Sequence, residues 1–108
     1  MTRLEEIFNL ANSRYFRGRL KNVKIKWKRG GWKKKTVVGT TTSPDGEKFL
    51  IQISDQIRIY NSLVITTVLH EMIHVQQWNK VSFEASHGNK FNARMKQLAN
   101  LGAFRGLW

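Results

Sequence analysis

The sequence predicts an α+β fold, and three observations carry that prediction. A helix-capping pattern opens the chain, three short alternating or β-branched runs occupy its middle, and two stretches of helical period close it. The expected arrangement is an N-terminal helix, a three-stranded antiparallel sheet, and two later helices packed on that sheet. With 108 residues, 41% of them apolar, the chain has material for one modest core, so a single domain over residues 1–108 is expected.

Thr2 and Glu5 form a T-x-x-E capping box, which places a helix start near Arg3. Leu4, Ile7, Phe8, Ala11 and Tyr15 then share one face, and the helix should end near Phe16, ahead of Gly18. Val23 to Trp27 alternates, with Val23, Ile25 and Trp27 on one side and Lys24 and Lys26 on the other, as in a half-buried strand. Gly30 and Gly31 mark a turn, and the β-branched run Thr36 to Thr42 reads as a second strand. Ser43-Pro44-Asp45-Gly46 is a turn signal, followed by a third alternating run from Lys48 to Ser54. The short links suggest an antiparallel meander. Ser62 is the expected cap of a helix reaching Trp78, apolar on nearly all sides in its first two turns and therefore buried. A polar loop leads to Asn89, the expected cap of a last helix with Phe91, Met95 and Leu98 on one face and Gly102 past its end.

Composition narrows the function classes. The chain has no cysteine, which excludes disulfides and cysteine-ligated metal within it. No apolar run approaches the roughly 20 residues of a membrane span, and the N-terminus lacks a signal peptide's apolar core. The expectation is a monomer of the cytoplasm, nucleoid or nucleus, not secreted and not a membrane protein. Nineteen Lys and Arg against seven Asp and Glu give a net charge of +12, an excess that favours polyanions, DNA foremost. Eleven of those cations lie between Arg14 and Lys35. Within that third, Lys24, Lys26, Lys28, Arg29, Lys33, Lys34 and Lys35 are the candidate phosphate contacts, and Trp32 in the glycine loop is the candidate for stacking on a base. Trp27 alternates with the inward set and reads as core. Trp78 either walls a cleft or packs.

The stretch HEMIH, His70 to His74, carries the chemistry. Positions i and i+4 share a helix face, so two imidazoles can reach one Zn²⁺, while Glu71, turned roughly 100° away, stands beside the ion as a general base. Two histidines on a helix are weak grounds for a metal site, because packed and hydrogen-bonded histidines are common. The count strengthens them. The chain has three histidines, and a catalytic zinc site takes three protein ligands and leaves one position open. His87 is therefore the expected third ligand, with Glu84 as runner-up. The longer metzincin spacing would need glycine at 77 and histidine at 80, where this chain has Gln77 and Lys80.

HEMIH at 70–74 followed by HGNKF at 87–91 resembles the SprT-like (Spartan) metalloproteases, whose pattern is H-E-x-x-H, a loop, and H-G-x-x-F. The segments NSRYFRGRL (12–20), the strand ending in Trp27, and LIQIS (50–54) extend the resemblance over nearly the whole chain. It implies His70, His74 and His87 as zinc ligands and Glu71 as the base that later returns its proton. It also implies Gly88 as a tight turn, Phe91 as anchor of the last helix, and Phe16, Leu20 and Trp27 as core. Eukaryotic members of that family cut proteins crosslinked to DNA. Many relatives carry a cysteine-rich zinc ribbon that contributes to DNA binding; these residues resemble the protease core alone.

Two functions of different class follow. One is a zinc metalloendopeptidase acting on DNA-associated or DNA-crosslinked proteins. The other is a DNA-binding module with a structural or vestigial zinc site. A two-metal nuclease is disfavoured, because seven acidic residues are too few to supply its carboxylates.

Overall fold

A computed structural model describes residues 1–78 and 87–105. In chain order the elements are α1 (Arg3–Tyr15), β1 (Val23–Lys28), β2 (Gly39–Thr42), β3 (Phe49–Ser54), a 3-10 turn at Asp55–Ile57, α2 (Asn61–Gln76) and α3 (Asn89–Asn100). The fold is α+β, as expected. Among the described residues no helix is long and apolar enough to cross a membrane.

The capping box forms as the sequence suggests. The Glu5 N–H donates to the Thr2 hydroxyl at 3.2 Å, and the Thr2 N–H donates to the Glu5 carboxylate at 2.9 Å. Leu4, Ile7, Phe8 and Ala11 turn inward. Beyond α1 the chain reverses through Arg17 and Gly18, both at positive φ. Asn12 holds this reversal, its amide donating to the Leu20 carbonyl at 3.0 Å and its carbonyl accepting from the Leu20 N–H at 3.2 Å. That contact buries Phe16 and Leu20.

The sheet differs from the expected meander. Its order is β1-β3-β2, with β1 parallel to β3 and β2 antiparallel to β3. The reason lies in the connection after β1. It does not fold straight back at Gly30-Gly31 but crosses the C-terminal end of β3. The Gly30 N–H donates to the Asp55 carboxylate at 3.0 Å, and the Ser54 N–H donates to the Val38 carbonyl at 2.9 Å. Gly31, at φ +65, sits so close that an added Cβ would lie 2.6 Å from the Ser54 hydroxyl. The chain thus steps over β3, and β2 returns on its far side. The run from Thr36 is extended only from Gly39 onward, because its first residues belong to this crossing. As the central strand, β3 carries Ile51 and Ile53 fully buried.

Helix α2 is the core of the molecule. Val64, Ile65, Val68, Leu69, Met72, Ile73 and Val75 are buried against α1, β2 and β3. Each such side chain contributes about 1.5–3 kcal/mol over its exposed state. The helix begins two residues earlier than expected. Its cap position is Tyr60, which supplies no side-chain acceptor, and Ser62 lies in the first turn. Similarly, α3 is capped by Gly88, and Asn89 is its first residue. Against expectation, α3 packs chiefly on α2 rather than directly on the sheet. Arg94 ties it down. Its guanidinium donates to Gln76 at 3.0 Å and to the Tyr15 carbonyl, and lies 4.8 Å over the Phe16 ring. Gly102, at φ +82, closes α3 in a Schellman turn, with the Ala103 N–H donating to Leu98 and the Gly102 N–H to Ala99.

Candidate metal centre and catalytic site

His70 and His74 project from one face of α2, one turn apart, and His87 arrives just before α3. The His87 Nε2 lies 3.1 Å from the Nε2 of His70 and 3.0 Å from that of His74. Three ligands spaced tetrahedrally about one ion at zinc–nitrogen distance would be about 3.3 Å apart, so the observed spacing fits a shared metal. Hydrogen bonding explains it less well, since one ring nitrogen has either a single proton to donate or a single lone pair to accept with, and cannot serve both neighbours well. Burial holds His74 down to about 4, assisted by the like charges of His70 and His87, and it lowers His70 as well. Both imidazoles are therefore neutral at neutral pH, the form a metal requires. These three histidines could hold a metal ion.

Phe91 does more than anchor α3. Its ring lies 4.6 Å from that of His70, 4.9 Å from that of His74 and 5.2 Å from that of His87, centroid to centroid, and stacks on His74 at 25°. One buried aromatic from the first turn of α3 thus fixes the orientation of all three imidazoles. Its core character was legible in the sequence, but its contact with the histidines was not.

Glu71, next to His70 in the chain, is buried. Burial pushes its carboxyl up to about 7, opposed by a hydrogen bond from Thr41, whose hydroxyl donates to Oε1 at 2.7 Å. A cation held by the histidines would draw the carboxyl back toward its charged form. Thr41 stands on β2, 30 residues away in sequence, and nothing local marks it as part of a site. Gly39, on the same strand, is the second residue the sequence did not reveal. A Cβ there would lie 2.6 Å from the Thr67 methyl and 3.2 Å from Glu71 Oε2. The Thr67 methyl cannot easily rotate away, because its hydroxyl donates to the Leu63 carbonyl at 2.7 Å. Gly39→Ala is therefore expected to destabilise the protein by about 1–3 kcal/mol through overpacking. Urea denaturation reads this directly, and an unchanged midpoint would show that the space between β2 and α2 has slack.

The other candidate residues disperse over the surface. Lys24, Lys26, Arg29, Lys33, Lys34 and Lys35 are exposed and Lys28 is half-buried, along β1 and the crossing loop. Lys35 reaches Gln56 at 3.5 Å. Trp32 is half-buried rather than exposed. Trp27 packs against the core from its rim with the Arg58 guanidinium 4.5 Å over its ring, so it is less enclosed than its alternation suggested. Trp78 packs edge-on against Phe49, with ring centroids 5.6 Å apart. Glu84, the runner-up ligand, lies outside the described residues, as does most of the loop between α2 and α3.

No curated protein sequence matches the chain. The family model described as SprT-like matches residues 4–105, from the first turn of α1 to past the end of α3, and so takes in the histidines, Glu71 and Phe91 together. The extent of that match, over the element order and the histidine cluster just described, assigns the chain to the SprT-like family.

Proposed function

We propose that this protein is a zinc-dependent endopeptidase that cuts proteins held on DNA. The observation that carries the reading is the convergence of three imidazole nitrogens, two of them from a buried helix that also carries a buried carboxylate, Glu71, next to His70 in the chain. Three imidazole nitrogen ligands suit zinc, which when bound would supply Lewis-acid polarisation of a carbonyl and acidify a water. The chain's own residues supply the remainder. Glu71 takes a proton from the attacking water and delivers it to the leaving amine. Thr41 holds the Glu71 carboxylate through Oε1, leaving Oε2 toward Gly39. Phe91 fixes the imidazoles.

Substrate alignment falls to β2. Strand β3 is central and has both edges occupied. The outer edge of Gly39–Thr42 is unpaired within the sheet and adjoins Glu71, so an extended chain added there would run past the carboxylate. The net charge of +12 supports delivery by DNA, with Lys24, Lys26, Lys28, Arg29, Trp32, Lys33, Lys34 and Lys35 as contacts.

The test is cleavage of a DNA-binding protein with and without DNA over a salt series. Cleavage that rises with DNA and declines as salt screens the contacts is expected. Cleavage indifferent to both would remove DNA from the reading, and DNA binding with no cleavage under any condition would favour a binding module with a vestigial metal site.

A further inference from the structure

An open groove of about 410 Å³ lies at the end of the molecule away from the histidines, lined by Thr2, Arg3, Trp27, Arg58, Asn61 and Val64. It is where the beginnings of α1 and α2 meet the end of β1. Two guanidinium groups enter it, and each is held by an uncharged neighbour. Arg3 donates to the Asn61 side chain at 3.0 Å, and the Arg58 guanidinium carbon lies 4.5 Å over the Trp27 ring. Among the described residues neither meets a carboxylate, so both positive charges remain available to a ligand.

A guanidinium held over an aromatic ring spends none of its N–H donors on a protein acceptor there, and its planar fork suits bidentate contact with a tetrahedral oxyanion. The volume falls within the range of small-ligand sites. Beside the groove, Ile59 and Tyr60 are large and exposed, at 83% and 57% of their full surface. Trp27 faces this groove on the helix side of β1, whereas Lys24 and Lys26 occupy the opposite side of the same strand. The groove is thus a second positive surface, distinct from the lysine-rich run.

We infer that this groove binds a phosphodiester of nucleic acid, with Arg3 and Arg58 as its two phosphate contacts. The inference rests on the proposal that this strongly basic protein works on DNA, and it adds where a strand is gripped. Asn61 and His70 are nine residues apart on one helix, about 14 Å along its axis. A strand held in the groove therefore lies within a fixed short reach of the metal cluster, and α2 sets the spacing between nucleic acid and cleavage site.

The experiment is fluorescence anisotropy of a labelled oligothymidylate with the whole chain across a salt series, comparing wild type, Arg3→Ala/Arg58→Ala, Arg58→Lys and Lys33→Ala/Lys34→Ala/Lys35→Ala. The arginine double variant is expected to bind more weakly, with a slope of log affinity against log salt shallower by about 1.4, two single-strand phosphate contacts. Arg58→Lys keeps the charge and should keep the wild-type slope. Should the double variant not fold, Arg58→Ala alone carries the test with about half the change in slope. Wild-type binding with an unaltered slope in the arginine variants, while the lysine triple variant loses binding, overturns this site and leaves DNA binding standing. Failure of the wild type to bind the oligonucleotide overturns both. Displacement by polyglutamate as effective as by unlabelled oligothymidylate overturns it too, by making the groove a site for acidic peptides.

Discussion

Glu71→Gln is expected to lower peptide cleavage by about 10²–10⁴-fold, the usual range for loss of a general acid–base group, while leaving metal uptake intact. The substitution suits the test because the structure tolerates it. Glutamine has the shape of glutamate, and its carbonyl can still accept the Thr41 hydroxyl that now meets Oε1 at 2.7 Å. The side chain stays in the narrow space facing Gly39, and the imidazoles on the same helix are untouched. Only the ability to take a proton is removed. Assays pair turnover of a model protein substrate with metal content of the purified variant. A variant that is metal-loaded and still cleaves at the wild-type rate would remove Glu71 from the mechanism.

His74→Ala should act through the metal instead. Its nitrogen is one of three converging donors, and its ring is the one stacked on Phe91. Loss of a ligand is expected to weaken metal binding beyond the roughly 10–100-fold that removing an outer hydrogen-bond partner costs. The consequence extends to stability. A metal at a hundredfold excess over its Kd stabilises the folded state by about 2.7 kcal/mol, which for a domain of this size raises Tm by about 10–20 °C. Thermal melts with added zinc should show that rise in the wild type and little of it in His74→Ala. An equal rise in both would place the metal elsewhere.

Features written in local chemistry were legible in the sequence. The T-x-x-E box needs only residues three apart, and it forms between Thr2 and Glu5. The Ser43-Pro44-Asp45-Gly46 turn is likewise self-contained. The Asp45 carboxylate accepts from the Glu47 and Lys48 N–H groups at 2.9 and 2.8 Å, which holds that carboxyl below its usual range. The histidine pair is local too, and His87 was expected beside it because the chain has no other histidine; the three could hold a metal ion.

What escaped the sequence depends on where distant segments meet. Gly30-Gly31 looks the same whether it reverses a hairpin or begins a crossing. The difference lies in Asp55, 25 residues on, which receives the Gly30 N–H. Thr41 and Gly39 have no signature, since a β-branched strand residue and a strand glycine become parts of a site only when α2 lies against them. The helix caps at Ser62 and Asn89 were displaced for a related reason. A side-chain cap is worth about 1 kcal/mol, less than the burial of the apolar face that decides where a helix begins.

The order β1-β3-β2 leaves the sheet two rims of opposite chemistry. Any exposed strand rim invites another chain to join it, including a second copy and so the start of aggregation. On the β1 rim lysine recurs at every other position, at Lys24, Lys26 and Lys28, and their mutual repulsion discourages such joining by a basic copy. The other rim, Gly39–Thr42, is uncharged and only four residues long, too short to seed a growing stack. On the proposed reading, a visiting chain would be turned away from one side of the sheet and admitted briefly on the other, where Thr41 meets Glu71.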